Sequence, residues 1–581
     1  MPSASDKVAV ESDFTSHDGV ALHYRHWPAA QPGKRALLLF HRGHEHSARW
    51  QETVEALALE DVDIFAWDAR GHGASPGERG AAEHIGMLIR DVDAFVRHVT
   101  ARHGIAMEDM IVVAHSVGAV VVAAWVHDFA PPIRGLVLAT PAFRVRLYVP
   151  FSVPLLRLRQ RLFGPGYVKS YVKARMLTHD VKQARLYAED ATIFRQIAVN
   201  VLLDLHDTGT RLVADAGAIR VPVLMLAAGA DWVVENGAQR KFFARLSSAD
   251  KTFRELPGFH HAIFHESDRA VVVEQLREFV ARLFLQPRSE PPSLRDADRA
   301  GYTKTEYYEM REAPHTLSAR AIRVAFSAIG PMSDGIALGL RSGFDSGETL
   351  DYVYENKPRG TNAVGITMDR AYLESPGWSG IRARRQHLEE MLCAAMRELH
   401  AAGGAVHILD AACGAGRYVL ESIAALPEVN ASALLRDYKQ QNLDTAERLR
   451  AELKLDRVKI VRGDAFDRDS FANLDPRPTI GIVSGLLELF PDNESARRCF
   501  AGFADAIKPG GILLYTGQPW HPQLRFIAGV LDNREGKPWI MRRRTQEELD
   551  ELVRAAGFVK EAQAVDRWGI FTVSRARRAA A

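Results

Sequence analysis

Ser116 lies in the run Ala114-His115-Ser116-Val117-Gly118, which follows an apolar stretch and opens another. Small residues on both sides of a serine, between a strand and a helix, allow the sharp turn that presents its hydroxyl. A serine hydroxyl is a poor nucleophile near neutral pH, so it needs a base and a group that orients the base. Both are expected downstream, in the order Ser, Asp, His. Asp231 follows the apolar run Val221–Ala227, within Gly229-Ala230-Asp231-Trp232. His261 follows another predicted strand, in Pro257-Gly258-Phe259-His260-His261, with His260 as the adjacent alternative. The chemistry expected of Ser116, Asp231 and His261 is acyl transfer through a covalent serine intermediate.

A second set starts at Ile408-Leu409-Asp410-Ala411-Ala412-Cys413-Gly414-Ala415-Gly416-Arg417. An apolar strand runs into a glycine turn and then a helix. Glycines let backbone approach a ligand, and the helix start supplies N–H groups. The spacing is Asp410-x-Ala412-x-Gly414-x-Gly416, which differs from the dinucleotide fingerprint. The next strand ends at Asp437, where a carboxylate can accept both hydroxyls of a ribose. The third ends in Gly463-Asp464-Ala465-Phe466, where Asp464 can meet an adenine amino group. The fourth gives Val483-Ser484-Gly485-Leu486.

The elements that must position these groups are short apolar runs alternating with helical patterns. In the first half they are Arg35–Phe40, Val62–Trp67, Met110–Ala114, Gly135–Ala139 and Val221–Ala227, which predict a mainly parallel sheet. The prolines and charges of Leu285–Ala300 read as a linker, and residues 301–343 as helices bracing the halves. A second series follows at His407–Asp410, Ala431–Arg436, Arg457–Val461, Thr479–Val483 and Gly511–Tyr515. It closes with an antiparallel pair, Phe558–Ala564 and Gly569–Ser574. The expected division is 1–285, with an insert over the site at about 140–215, then a linker and helical bridge over 286–344, then 345–581.

Composition sets limits. With 581 residues, 47% hydrophobic and 25% charged, the chain has the balance of a globular protein of several domains. A formal net charge of +2 and the lack of a recognisable RNA-binding module count against a nucleic-acid partner. Cys393, Cys413 and Cys499 show neither disulfide nor zinc-site spacing, so no metal is expected and a reducing cytoplasm is the natural compartment. Met1–Glu11 is polar and lacks a signal core. Met110–Val126 is apolar, but with His115, Ser116 and two glycines it reads as a buried strand–turn–helix rather than a membrane span.

The first set, with Asp68-Ala69-Arg70-Gly71-His72-Gly73 and His41-Arg42-Gly43-His44-Glu45, resembles the monoacylglycerol lipase and lysophospholipase branch of the α/β-hydrolases over residues 10–285. The resemblance implies a cap over the site and an oxyanion hole from the N–H groups of Gly43 and Val117. Arg42 and His44 stand where that family usually has glycines, and Ala262 where it usually has Glu. The second set resembles class I methyltransferases over 345–581. That implies S-adenosyl-L-methionine as cofactor, held by Asp410, Ala412, Gly414, Gly416, Asp437, Asp464, Ala465 and Gly485. The fold class expected is therefore α/β throughout: an α/β-hydrolase fold with a cap, then a Rossmann-like methyltransferase fold. Phe344-Asp345-Ser346-Gly347, Thr516-Gly517-Gln518-Pro519-Trp520-His521-Pro522 and Met541-Arg542-Arg543-Arg544-Thr545 are similar to a bacterial methyltransferase family often fused behind such a hydrolase. His521 and Trp520 are candidates for the methyl-acceptor site. The run Arg542–Arg544 is expected to be a solvated helix start, with binding of an anionic acceptor as the alternative.

The reading is a bifunctional enzyme acting on lipid-like or other small molecules. Its alternative keeps the methyltransferase and makes the first half a lipid-binding or acyl-transfer module. Between Asp128 and Asp180 no acidic residue occurs, while nine basic ones, Arg134, Arg144, Arg146, Arg157, Arg159, Arg161, Lys169, Lys173 and Arg175, are interleaved with apolar residues such as Leu147, Phe151, Leu155, Leu162 and Phe163. Such a basic amphipathic stretch suits peripheral contact with an anionic membrane at its inner face.

Overall fold

The computed structural model describes residues 7–30, 33–288 and 291–580. The first six positions of the polar N-terminal segment, and Ser289 and Glu290 of the expected linker, lie outside the described residues. The chain forms two compact units, Met1–Pro292 and Ser293–Ala581.

The first unit is built on an eight-stranded sheet. Its strands, with a small hairpin outside it, are β1 (Val10–Thr15), β2 (Ala21–Trp27), β3 (Ala36–Phe40), β4 (Asp63–Trp67), β5 (Met110–His115), β6 (Gly135–Ala139), β7 (Tyr167–Lys169), β8 (Gln196–Ala198), β9 (Val223–Ala228) and β10 (Lys251–Leu256). The sheet order is β1-β2-β4-β3-β5-β6-β9-β10, with β1, β2 and β4 joined antiparallel and the rest parallel. Strands β3, β5, β6 and β9 are buried along their whole length, as strands covered on both faces must be. That is why they read as unbroken apolar runs. Strands β1 and β2, which the apolar pattern does not reveal, lie at the edge, and β1 buries only Phe14. The expected insert carries the helix Ser152–Phe163, the hairpin β7–β8 and the helices Val181–Glu189 and Val199–Asp215.

The second unit holds a seven-stranded sheet: β11 (His407–Asp410), β12 (Ser432–Asp437), β13 (Val458–Arg462), β14 (Ile480–Val483), β15 (Ile512–Gly517), β16 (Phe558–Val565) and β17 (Thr572–Arg578). The order is β13-β12-β11-β14-β15-β17-β16, and only β17 runs antiparallel to its neighbours. The strand order reverses between β11 and β14. In an open α/β sheet the crevice beyond the carboxyl ends at such a point is where ligands bind.

Residues 286–344, expected as a linker and bridge, divide differently. The helices Tyr302–Glu312, Leu317–Ile329 and Asp334–Ser342 belong to the second unit, where Met310, Ile336 and Phe344 join a core with Trp378, Ile527 and Trp539. Met310, Ile336 and the part-buried Phe326 pack these helices on that core, so they are part of this unit's fold. Met110–Val126 is a buried strand and helix start, and no helix among the described residues is long and apolar enough to cross a membrane.

Candidate active sites

Ser116 sits between β5 and the helix Val117–Phe129 with φ 57° and ψ −114°. A non-glycine residue here is strained, and such strain is kept where surrounding structure enforces it. Gly118 is part of that enforcement: a Cβ there would stand 2.4 Å from the His41 carbonyl oxygen. The turn delivers Ser116 Oγ to 2.7 Å from His261 Nε2, and His261 Nδ1 lies 2.8 Å from Asp231 Oδ2. All three residues are buried. Burial pushes the Asp231 carboxyl upward, but the His261 ring and the N–H groups of Val233 and Val234 outweigh it and hold it below its ordinary value. The acid is thus ionised and fixed in place against the histidine.

His260 is turned away. Its ring lies 3.8 Å from that of His179, its backbone N–H donates to Glu266, and Trp232 Nε1 donates to its Nε2. The choice left open by the adjacent histidines falls to His261.

The expected oxyanion donors also converge. Gly43 and Val117 line one cavity with Ser116 and His261, and a Cβ at Gly43 would stand 3.0 Å from Val117 Cγ2. Among the described residues neither backbone N–H is engaged by another group. Arg42 is buried with its Nη2 on Glu45 Oε1 at 2.8 Å and its guanidinium 4.7 Å from the Tyr187 ring centroid. Its charge is therefore matched within the loop. His44 takes a positive φ of 69°, and burial lowers its pKa to about 4, so it is neutral near pH 7. The cavity has a volume of ≈ 640 Å³ and is walled by cap residues including Leu147, Leu155, Val168, Phe194 and Val201.

Sequence alone does not reveal the supports of the base. His115 Nε2 and Thr140 Oγ1 both reach the His261 carbonyl oxygen, at 3.0 and 3.2 Å. Burial holds His115 well below its usual pKa, so it is neutral, with its Nε2 proton on that carbonyl.

In the second unit a cavity of ≈ 530 Å³ lies at the sheet's reversal point, lined by the loops after β11 and β14. Ala412, Gly414, Gly416, Asp437 and Gly485 are on its wall. Gly414 and Gly416 have φ of 56° and 66°; a Cβ at Gly414 would meet nothing within 4 Å, while one at Gly416 would strike Leu435. Asp437 accepts from the N–H groups of Gly414 and Lys439 and from Asn442, which fixes its carboxylate beside the loop. Arg436, its sequence neighbour, points instead toward Ser470 and the Phe471 ring.

Other expected contacts fall elsewhere. Asp410 is fully buried behind the loop, where it accepts from Ala412 N–H and the Tyr418 hydroxyl, so it supports the turn and does not line the cavity. Asp464 is exposed, caps the Phe466 N–H, and with Ala465 does not line the cavity. His521 lines the cavity; Trp520 does not, and packs in the adjacent core.

The arginine run is not solvated. Arg542 donates to Glu548, Thr303 and Asn493, Arg543 pairs with Glu306 and donates to the Pro519 carbonyl, and Arg544 donates to the carbonyls of Leu487, Phe490 and Asp492. Buried guanidinium groups persist only when their donors are matched. These side chains pin the loops beside the cavity and do not line it. Burial lowers the Arg544 pKa to about 10, still fully charged near neutrality.

A glycine-bounded crevice with a fixed carboxylate, after the first strand of a sheet of this order, defines a methyltransferase-like fold beside a serine-hydrolase-like one. Comparison with known proteins agrees. The family model described as "Putative methyltransferase" matches residues 276–578, and that described as "Serine aminopeptidase, S33" matches residues 31–268. The chain belongs to this methyltransferase family, with an α/β-hydrolase of the S33 family as its N-terminal region. It is 48% identical over 582 residues to the Escherichia coli (strain K12) protein YnbC, described as uncharacterized, covering 99% of both chains. The N-terminal region is 24% identical over 277 residues to a monoacylglycerol lipase of Mycolicibacterium smegmatis, covering 46% of this chain and 96% of that one. The crystal structure of Paleococcus ferrophilus monoacylglycerol lipase aligns with a TM-score of 0.41 and 23% identity, over 48% of this chain and 99% of that one.

Proposed function

We propose that the chain is a bifunctional enzyme whose first unit hydrolyses acyl esters of lipid-like molecules, of the monoacylglycerol or lysophospholipid type. The carrying observation is the Ser116–His261–Asp231 chain of hydrogen bonds opening into a cap-walled apolar cavity of ≈ 640 Å³. Ser116 Oγ attacks the ester carbonyl carbon as His261 takes its proton, and Gly43 and Val117 N–H groups receive the developing oxyanion. His261 returns the proton to the leaving alcohol, and water then releases the acid from Ser116. The resemblance to monoacylglycerol lipases supports the substrate class.

The second unit, in this reading, transfers a methyl group from S-adenosyl-L-methionine. The turn Ala412–Gly416, Asp437 and Gly485 have the chemistry to hold it: close backbone approach, free space at Gly414, and a carboxylate for the ribose. Its sulfonium supplies an already activated methyl group, so the protein's main task is alignment of the acceptor. The cap contacts an anionic membrane from the cytoplasmic side: Phe151, Leu162 and Phe163 are exposed on an element rich in arginine.

Two measurements on the full chain test the reading. A fluorophosphonate probe labels the native protein and leaves Ser116→Ala unlabelled; an unlabelled, folded native protein would favour the module that only binds lipid. Calorimetric titration shows binding of S-adenosyl-L-methionine that Gly414→Arg abolishes; no binding by the native chain removes the methyltransferase reading.

A further inference from the structure

The second cavity extends well past the glycine loop, and its far part is apolar. Phe326, Ile336, Leu350, Trp378, Phe526 and Trp539 line it. Trp378 and Trp539 are stacked, with centroids 6.1 Å apart and planes at 29°. A wall of this kind takes up a flat apolar body.

Charge narrows the class. Arg384, Arg385, Arg417 and Arg534 are the cations on the wall among the described residues, and each already faces a carboxylate. Arg384 pairs with Glu488, Arg385 with Glu389 and Glu421, Arg417 with Glu421, and Arg534 with Asp345. An anionic acceptor entering here would lose its hydration without gaining a free counter-charge from the protein.

Two polar groups remain directed at the cavity. His521 Nδ1 lies 3.0 Å from the backbone N–H of Gln523. A backbone N–H only donates, so Nδ1 carries the lone pair and Nε2 carries the proton. Burial lowers the pKa of His521 to about 4, which keeps this neutral tautomer near pH 7. Nε2 therefore offers a hydrogen bond and cannot serve as a base. Glu488 Oε1 faces Arg384, while Oε2 accepts no hydrogen bond among the described residues. The two groups share one wall. Both line the cavity, and Phe571 stands beside them, with its ring centroid 6.3 Å from that of His521 and 4.9 Å from the guanidinium of Arg384, the partner of Glu488.

Building on the methyltransferase reading above, we propose that the acceptor is an uncharged, ring-bearing apolar molecule with a phenolic hydroxyl, oriented by His521 Nε2–H and deprotonated by Glu488. One oxygen lone pair accepts from His521, and a second attacks the methyl carbon. The carbon–sulfur bond breaks with its electron pair passing to sulfur, which becomes a neutral thioether. The hydroxyl proton goes to the Glu488 carboxylate and from there to water. A phenol is acidic enough for a carboxylate to assist in the transition state, whereas an aliphatic alcohol is far less so.

The test uses the full chain saturated with S-adenosylhomocysteine, and 1-naphthol and 1-naphthoate as matched probes. Calorimetry should show 1-naphthol binding at least ~10-fold more tightly than 1-naphthoate, the cost of placing a carboxylate where no cation is free. In turnover, Glu488→Gln should lower kcat for 1-naphthol about 10²–10⁴-fold, the usual worth of a general base, with KM nearly unchanged. His521→Phe should raise the 1-naphthol dissociation constant. Equal or tighter binding of 1-naphthoate, binding of neither probe, or an unchanged kcat in Glu488→Gln overturns the proposal. If Glu488→Gln does not fold, the probe comparison on the native chain decides. Failure of the native chain to bind S-adenosyl-L-methionine is a separate result: it removes the methyltransferase reading, and this inference with it.

Discussion

The imidazole of His115, the residue before the nucleophile, reaches the backbone carbonyl of His261, the base, at 3.0 Å. The nucleophile turn thereby holds the base loop from behind, across a sequence separation of 146 residues. Thr140 reaches the same oxygen at 3.2 Å, so the base is fixed from two sides. His115 touches no reacting atom and acts through His261 alone. His115→Ala removes a buried hydrogen bond whose loss costs about 1–3 kcal/mol. The expected result is slower labelling of Ser116 by fluorophosphonate and a kcat about 10-fold lower on a short-chain ester, with KM little changed. A KM effect with full kcat would assign His115 to substrate binding instead.

Asp231 should matter more. It is ionised, receives two backbone N–H bonds and orients the Nδ1 side of His261. Asp231→Asn retains the shape but presents a donor or a weaker acceptor to that nitrogen, favouring the tautomer that cannot take the Ser116 proton. Ester turnover is expected to fall about 10³–10⁴-fold while the thermal midpoint changes little. Retained turnover would mean that another group orients the base.

The sites were legible in the sequence to different depths. Buried parallel strands write themselves as apolar runs, and turns at their ends carry glycines, so β5 with Ser116 and β11 with Gly414 and Gly416 are visible at once. Asp231 and His261 follow because the chemistry demands partners in that order. Arg542–Arg544 misled because an arginine run is usually solvated, and nothing local shows that Glu548, Glu306 and the carbonyls of Leu487–Asp492 fold around it. Asp464 sits at the expected strand end, yet its side chain turns back to cap Phe466, a choice between two local hydrogen bonds that spacing does not encode. Glu488 and Arg384 lie 104 residues apart, and their pairing is a product of tertiary structure alone.

The cap supplies a prediction about surfaces. Helix Ser152–Phe163 buries none of its residues, and Phe151 and Phe163 are 81% and 78% exposed. Apolar groups of this size are costly in water unless a partner covers them. Phe151→Ser with Phe163→Ser should weaken sedimentation with vesicles containing phosphatidylglycerol, and Arg157→Gln with Arg161→Gln, both exposed and outside the cavity lining, should weaken it further at low salt, by about 1 kcal/mol per charge. Hydrolysis of a soluble short-chain ester should be unaffected by either pair. Vesicle binding that survives all four substitutions would place the contact outside the cap.

Asp410 gives the clearest pH signature. Burial raises its pKa from 3.8 to about 7, against the opposing pull of the Tyr418 hydroxyl and the Ala412 N–H. In the unfolded chain it titrates near its ordinary value, so between about pH 4 and pH 7 folding takes up a proton. The stability this contributes is complete below the unfolded pKa and is lost as pH rises through the folded one. Above pH 7 the fold must hold a buried, charged carboxylate. Asp410→Asn keeps the shape and a group able to bond Tyr418, but it cannot titrate. Urea unfolding of both proteins at pH 5 and pH 8 isolates the effect: the native chain should lose stability relative to Asp410→Asn at the higher pH, on the order of a few kcal/mol. A difference that is the same at both pH values would mean that Asp410 is ionised throughout, held by the Tyr418 hydroxyl and the Ala412 N–H.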